Sequence, residues 1–210
     1  VNMKIKFVEL QNFRKLKSCR IDLAHNETVF VGANNSGKTS AMDALRTFLK
    51  HQGEFSTRDF TLSNWKGINK IGFEWIRLNE GEQYDLTLSR WNNLLPTLDI
   101  WLEVNENEIH YINHLIPTLD WDNGLLGVRL RFEPKDVEDL CKEFVAKYKA
   151  SHNVKELAKQ KKNGDIELDL WPTSLWDFLE ENLSTFFEVK SYILDPAKLA
   201  TVVLRLAAMD

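Results

Sequence analysis

One eight-residue stretch constrains the fold of this 210-residue chain more than any other feature. Residues 32–39 read GANNSGKT, which fits the phosphate-binding pattern G-x-x-x-x-G-K-[ST] at every fixed position. Such a loop requires a strand before it and a helix after it. The preceding residues are β-branched and aromatic, and Ala41, Leu45 and Phe48 then recur at spacings of three and four. We therefore predict a strand at 28–31 and a helix at 38–50.

The loop pattern predicts a specific division of labour around a bound nucleotide. Gly32 and Gly37 allow backbone angles that let successive N–H groups turn inward and line an anion-binding nest. The helix that follows points its positive end at the same phosphates. Lys38 is expected to bridge the β- and γ-phosphates, and the Thr39 hydroxyl to be a ligand of Mg²⁺.

The residues that flank the loop carry a family resemblance. VELQNFRKLKSCRIDL followed by VFVGANNSGKTSAMDAL resembles the N-terminus of the ABC-type ATPase heads of RecF, SMC and OLD-family (overcoming lysogenisation defect) proteins. The inner residues Asn34-Asn35-Ser36 look most like the OLD branch, as does STRDF at 56–60. The resemblance is dense over residues 4–50. It implies an α/β fold of the P-loop NTPase class, with a mixed sheet, an antiparallel β portion and a helical C-terminal part.

The resemblance also implies a set of nucleotide contacts. Asn12, Arg14 and Lys15 would line the ribose and phosphate side of ATP, although a basic, solvated hairpin end is an alternative for Arg14 and Lys15. Phe13, between them, is expected to be a core aromatic. The residues that would hold the phosphates are Gly32, Asn34, Asn35, Ser36, Gly37, Lys38, Thr39 and Ser40.

The chain departs from the family pattern in the motifs used for hydrolysis. ABC-type heads need a strand-end Asp for magnesium, a following Glu that activates water, and a Ser-Gly-Gly signature. None is intact here: Asp195 lacks a following Glu, and Asp99 and Asp120 follow Pro-Thr-Leu instead of an apolar run. We expect the missing motifs to lie in a further part of the parent protein. The chain would then bind ATP without hydrolysing it efficiently alone.

The resemblance implies partners as well. The parent would be an ATPase that sandwiches ATP between two heads and couples the cycle to DNA handling, with phage defence suggested by the OLD branch. A non-hydrolytic nucleotide sensor is the main alternative. A small-molecule kinase is disfavoured because the later arginines are scattered, and a GTPase because Asn-Lys-x-Asp is absent.

Periodicity predicts the remaining organisation. Besides 28–31, strands are expected at about 4–11 and 18–23, and five further short strands in IGFEWIRL, QYDLTLSRW, TLDIWLEV, EIHYINHL and LLGVRLRFEP. Helices are predicted in PKDVEDLCKEFVAKYK, SLWDFLEENLSTFF and the final PAKLATVVLRLAAMD, and strands in IELDL and VKSYILD. We expect an N-terminal lobe at 3–135 and a helical or mixed region at 136–210 that begins an insertion or an incomplete remainder of the head.

Charge is distributed unevenly along the chain. The net charge is −4, but residues 1–50 hold nine basic and four acidic side chains, so the remainder carries 18 basic and 27 acidic ones. The positive N-terminal part suits a polyphosphate ligand. No apolar run is long enough to span a membrane, and Cys19 and Cys141 are expected to be free thiols in a cytoplasmic protein. The seven tryptophans are predicted to lie in the core or on the sheet.

Overall fold

A five-stranded antiparallel sheet is the centre of the fold. The computed structural model describes residues 4–31, 37–77, 85–104, 124–160 and 170–194. The strands are β1 Lys4–Phe13, β2 Leu16–Asp22, β3 Thr97–Val104, β4 Gly124–Pro134 and β5 Phe187–Leu194, in the spatial order β2-β1-β3-β4-β5. The predicted strands in TLDIWLEV, LLGVRLRFEP and VKSYILD are confirmed. The mixed sheet is not found, because every pair of strands in the described chain is antiparallel.

Four helices accompany the sheet within the described ranges. They are α1 Lys38–Leu49, α2 Trp65–Arg77, α3 Val137–Gln160 and α4 Leu175–Phe186. Short 3-10 turns occupy Gln52–Glu54, Thr57–Asp59, Leu62–Asn64 and Leu88–Trp91. The predicted helices at 38–50, after Pro134 and in SLWDFLEENLSTFF are confirmed. Ser174 caps α4 by accepting a hydrogen bond from the Asp177 backbone N–H, and Asp136 accepts two at the start of α3.

Two of the predicted strands are wrong. All of IGFEWIRL except its last residue, which lies outside the described residues, belongs to α2, where the buried residues Trp65, Ile68, Ile71 and Trp75 recur at three and four positions, as one face of a helix requires. In QYDLTLSRW, Leu88–Trp91 forms a 3-10 turn. The segments EIHYINHL, IELDL save for its last residue, and PAKLATVVLRLAAMD lie outside the described residues.

The predicted strand at 28–31 is also absent. These residues carry no strand pairing, and Val29 and Val31 expose 70 % and 88 % of their surface. A β-branched run predicts extended backbone, but a strand also needs a neighbour to pair with. None of the described strands pairs with this segment.

One face of the sheet and the helices share a single hydrophobic core. The rung Leu10–Leu98–Leu130 lies on this face, and the same cluster contains Phe48 of α1 and Phe144 of α3. Residues from both sides of the predicted boundary at 135/136 therefore contribute to one core. The division into two parts stays a prediction.

The opposite face of the sheet carries charge and aromatic rings. Asp99 of β3 is 3 % exposed and accepts two hydrogen bonds of 2.7 Å from Arg129 of β4. Nearby, Phe7 and Trp101 stack with ring centroids 5.8 Å apart. Four tryptophans are buried as predicted, namely Trp65, Trp75, Trp91 and Trp101, whereas Trp176 is 37 % exposed.

Candidate functional site

The C-terminal end of the phosphate-binding pattern lies at the start of α1. Gly37 occupies the N-cap position with φ of +90°, in the left-handed region, and α1 begins at Lys38. Among the described residues no side chain caps this end, and the first turn of α1 contains no acidic residue. The first backbone N–H groups of α1 and its positive dipole are thus directed at whatever lies before Gly37. This arrangement suits an anion.

The backbone conformation is the main reason for a glycine at position 37. A side chain would be strained at φ of +90°, and a Cβ atom there would lie 2.9 Å from Cδ2 of Leu16. Leu16 is the first residue of β2, so the end of the loop packs closely on the β1–β2 hairpin.

The other predicted phosphate contacts are partly described. Lys38 and Ser40 are half-buried and Thr39 is exposed, all in the first turn of α1. Gly32, Asn34, Asn35 and Ser36 lie outside the described residues. Lys15 is exposed in the turn between β1 and β2.

The Asn12-Phe13-Arg14 turn, which is part of the family resemblance, meets the STRDF segment in space. Phe13 forms an isolated antiparallel bridge with Phe60, which joins the Asn12-Phe13-Arg14 turn to the STRDF segment. The Arg14 backbone N–H donates to the Asp59 carbonyl at 2.8 Å, and that of Thr61 donates to the Asn12 carbonyl at 3.2 Å. These bonds hold Asn12 and Arg14 at φ of 56° and 50°, where residues other than glycine are uncommon.

Arg14 connects the turn to the helix that follows the loop. Its Nε donates to Asp59 Oδ1 at 2.9 Å, and its Nη1 donates to Asp43 of α1. Burial alone would lower the pKa of Arg14, but the hydrogen bonds and charges of Asp59 and Asp43 raise that pKa overall. Arg14 is therefore held between two carboxylates, which differs from the solvated hairpin end that was its alternative.

The Asp59 side chain, like that of Arg14, is held by several contacts. Its side chain is 5 % exposed, and Oδ2 accepts from the Ser56 backbone N–H at 2.8 Å and from the Ser56 hydroxyl at 3.1 Å. Ser56 and Asp59 thus close a capping box around the Thr57–Asp59 turn. The buried carboxylate has partners on both oxygens, as burial of a charge requires.

Asn12 takes part in a buried amide network. The Asn12 amide N–H donates to the Leu95 carbonyl at 3.3 Å, and its oxygen accepts from the Asn64 amide at 2.9 Å. Asn64 also donates to the Leu94 carbonyl at 3.1 Å. This network ties the turn to the segment before β3. The role of Asn12 toward a nucleotide stays a prediction.

A cluster of aromatic rings packs around Phe13 at the centre of the Asn12-Phe13-Arg14 turn. Phe13 is fully buried, as expected, and its ring lies 6.4 Å from the rings of both Phe48 and Phe55. Phe55 stacks on Phe132 of β4 with centroids 4.1 Å apart. The cluster anchors α1, the STRDF segment and the sheet to one another.

Sequence reasoning missed the two carboxylates that hold Arg14. A cavity of about 190 Å³ opens beside them, lined by Arg14, Asp43, Arg46, Thr47, Glu54, Ser56 and Asp59. Three acids and two arginines give the lining no net positive charge, so we expect the phosphates outside the cavity, at the start of α1, with Arg14 at the border between the two. The resemblance of STRDF to the family pointed to the segment that contains Asp59. No pattern in the sequence indicates that Asp43 contacts Arg14.

Acids that could serve hydrolysis are not gathered in the described part of the chain. Asp99 forms an ion pair with Arg129, and the hydrogen bonds that Arg129 donates to Asp99 raise the pKa of the guanidinium. Asp120 and Asp195 lie outside the described residues. Within the ranges that the structure covers, no three His, Cys, Asp or Glu side chains are grouped as a metal site.

Comparison with known proteins identifies the family of the chain. The helix that begins after Gly37 and the α/β content of the described chain fit a P-loop NTPase. The chain belongs to the AAA ATPase domain family, whose profile matches residues 3–202.

Curated relatives share a shorter stretch. The DNA replication and repair protein RecF of Lactococcus lactis subsp. cremoris (strain MG1363) is 32 % identical over 65 residues, which is 31 % of this chain and 18 % of the relative. RecF of Clostridium tetani (strain Massachusetts / E88) is 31 % identical over 67 residues, or 32 % of this chain and 18 % of the relative. The chain thus matches less than a fifth of the length of these relatives. No solved structure shows significant similarity to it.

Two further features bear on the predicted setting of the protein. Among the described helices, none combines the length and the apolar character that crossing a membrane demands. Cys19 and Cys141 are both free thiols, as predicted.

Proposed function

We propose that this chain is the ATP-binding N-terminal part of an ABC-type ATPase head of the RecF and OLD group. The observation that carries the proposal is the uncapped start of α1 at Gly37, packed on Leu16 of the β1–β2 hairpin. Membership of the AAA ATPase domain family supports ATP as the nucleotide. The likeness to RecF supports a DNA-related role for the parent protein.

Arg14 is proposed to reach the phosphates from its place between Asp43 and Asp59. A guanidinium has five N–H donors, and the two carboxylates use one each through Nε and Nη1. No described carboxylate engages the remaining donors, and we propose that they contact a phosphate near the start of α1. Lys15 and Asn12 are proposed to line the ribose side, with Asn12 acting through the turn that it shapes.

Gly32, Asn34, Asn35, Ser36, Gly37, Lys38, Thr39 and Ser40 are proposed to hold the phosphates. Thr39 suits Mg²⁺ because its hydroxyl stands in the exposed first turn of α1. Mg²⁺ prefers oxygen ligands and usually retains phosphate oxygens and water. When bound, the ion would neutralise phosphate charge, while Lys38 and the backbone N–H groups orient the phosphates.

The exposed valines before the loop support a fragment of a larger head. Val29 and Val31 are β-branched and precede the phosphate-binding loop, where a strand is expected, yet they are 70 % and 88 % exposed. We propose that a strand from another part of the parent protein pairs with this segment. Residues 3–135 would form the N-terminal lobe, and residues 136–210 the start of an insertion or an incomplete remainder.

The wider role follows from the same proposal. Two heads would self-associate around ATP in a cytoplasmic, DNA-associated ATPase. Assignment to the OLD branch, with an anti-phage endonuclease system as its setting, rests on the NNSGK loop and on STRDF.

A phosphate-release assay tests the proposal that the chain binds ATP but does not hydrolyse it efficiently alone. The chain alone, with Mg²⁺ and ATP, is expected to release phosphate at a rate indistinguishable from that of its Lys38→Ala variant. Release that depends on Lys38 would mean that the catalytic carboxylate lies within these residues. Intact nucleotide after long incubation with the longer parent would instead favour the non-hydrolytic sensor.

A further inference from the structure

A row of basic and aromatic side chains lies along the outer face of α2. Lys66, Lys70, Phe73 and Arg77 are all exposed, and their spacings of four, three and four place them on one side of the helix. We call these four residues the basic–aromatic stripe. The buried residues of α2 occupy the other side, against the core, so the stripe takes no part in the packing of the fold.

Among the described residues, little negative charge lies close to the cations of the stripe. Its one acidic neighbour on α2, Glu74, forms a close ion pair with Arg90, and the Lys70–Glu74 contact is long at 4.0 Å. Lys66 and Arg77 make no ion pair with any described residue. The stripe therefore presents three cations on a chain whose residues 51–210 carry a net charge of −9. A positive surface within an acidic region favours a polyanion.

Aromatic surface accompanies the charge. Phe73 lies between Lys70 and Arg77 on the stripe and exposes 43 % of its surface, whereas an aromatic residue of the core would be buried. Trp176 of α4 exposes 37 %, and the Trp176 backbone N–H donates to Asn69 of α2 at 2.9 Å. The Trp176 ring is also held by stacking on buried Trp65, with centroids 5.5 Å apart. Both rings can stack on planar groups of a ligand.

We propose that the basic–aromatic stripe binds single-stranded DNA, and this inference rests on the DNA-related role proposed above. Lysine and arginine side chains track the phosphates of a single strand, and exposed aromatic rings stack on its bases. Lys66 and Arg77 are eleven residues apart, or about 16 Å along the helix axis. That length matches about five stacked nucleotides at roughly 3.4 Å each.

Charge reversal on two matched helices tests the proposal. Binding of a fluorescent oligo-dT would be followed by anisotropy, with and without ATP, at about 50 to about 200 mM salt. Lys66→Glu/Lys70→Glu is expected to weaken binding about tenfold or more at low salt. It should also reduce the magnitude of the slope of log affinity against log salt concentration by about 1.4, the value for two lost contacts to single-strand phosphates. Lys142→Glu/Lys149→Glu on exposed positions of α3 makes the same change in net charge and should leave affinity nearly unchanged.

Phe73→Ala tests the stacking part separately. It is expected to weaken binding of oligo-dT about fivefold or more, without changing the salt dependence or the affinity for duplex DNA. Circular dichroism and thermal melting of each variant exclude unfolding as the cause.

Three results would overturn the proposal. The first is equal loss in the α3 control, which would indicate a general effect of net charge. The second is unchanged binding in Lys66→Glu/Lys70→Glu, and the third is no binding of oligo-dT by the unaltered chain at low salt. ATP affinity, measured on the same samples, tests the proposed function independently, because the stripe variants should retain it.

Discussion

The guanidinium of Arg14 contacts the carboxylate of Asp59, although the two residues are 45 positions apart in sequence. Nε of Arg14 donates to Asp59 Oδ1 at 2.9 Å, and the backbone N–H of Arg14 donates to the Asp59 carbonyl at 2.8 Å. Arg14 also contacts Asp43 of α1. The pair thereby links the β1–β2 turn to the helix that begins at the phosphate-binding loop.

Loss of the Asp59 carboxylate is expected to destabilise this link. Asp59→Ala removes the partner of Arg14 and both hydrogen bonds from Ser56, and should lower the free energy of unfolding by about 2 kcal/mol. Arg14 retains Asp43 and is partly solvated, which keeps the loss below that of a fully buried pair. Urea denaturation measures the change.

Asp22→Ala is the matched control for this prediction. Asp22 pairs with Arg20 at 2.9 Å, but its side chain is 72 % exposed, so its removal should leave the midpoint of unfolding unchanged. Equal effects of the two substitutions would show that the Arg14–Asp59 contact contributes nothing beyond a surface ion pair.

Gly37 should not tolerate a side chain. Gly37→Ala meets an unfavourable φ and places a Cβ atom 2.9 Å from Leu16, so we expect a loss of about 1–2 kcal/mol in stability and of ATP binding. Gly53→Ala is the control, because Gly53 has no atom within 4 Å of the added Cβ. Normal ATP affinity in Gly37→Ala would contradict the proposed geometry at the start of α1.

Gly72 tests the packing of α2 against α4. A Cβ atom there would lie 2.6 Å from the Cβ of Leu175 and 3.2 Å from the ring of Phe144. Although alanine favours a helix by up to about 1 kcal/mol over glycine, overpacking typically costs about 1–3 kcal/mol. We expect Gly72→Ala to lower the melting temperature, because Leu175 Cβ cannot rotate away. A raised melting temperature would mean that α2 and α4 pack less closely.

Much of the fold could be predicted from short-range patterns. The period of two in TLDIWLEV and LLGVRLRFEP predicted β3 and β4, and the period of three to four predicted α1 and α4. IGFEWIRL was mistaken for a strand because its β-branched and aromatic residues favour strands. The helical period emerges only when Trp65 and Ile68, which precede the segment, are included.

The features that the sequence did not predict depend on contacts between residues far apart in the chain. The segment 28–31 has the composition of a strand, but composition does not supply a partner strand. In the candidate site, the loop pattern located Gly37, Lys38 and Thr39. The carboxylates that hold Arg14 come from positions 29 and 45 residues further on, and local spacing gives no sign of such contacts.

The two cysteines should differ in reactivity. Burial raises the pKa of the Cys141 thiol to about 11, so about one molecule in a thousand holds the thiolate at pH 8. Iodoacetamide should therefore modify Cys141 slowly in the folded chain, with a rate that rises about tenfold per pH unit below that pKa. Cys19 is partly exposed on β2 and should react first. Rapid modification of both thiols at pH 8, detected by mass spectrometry, would contradict the burial of Cys141.

Binding of ATP at the start of α1 is the central claim, and calorimetric titration with Mg-ATP tests it most directly. The chain is expected to bind ATP, Lys38→Ala to lose that binding, and Lys50→Ala, at the exposed far end of α1, to retain it. A non-hydrolysable ATP analogue should bind as ATP does. Equal ATP affinity in the chain and in Lys38→Ala, or no binding by the unaltered chain, would contradict the claim.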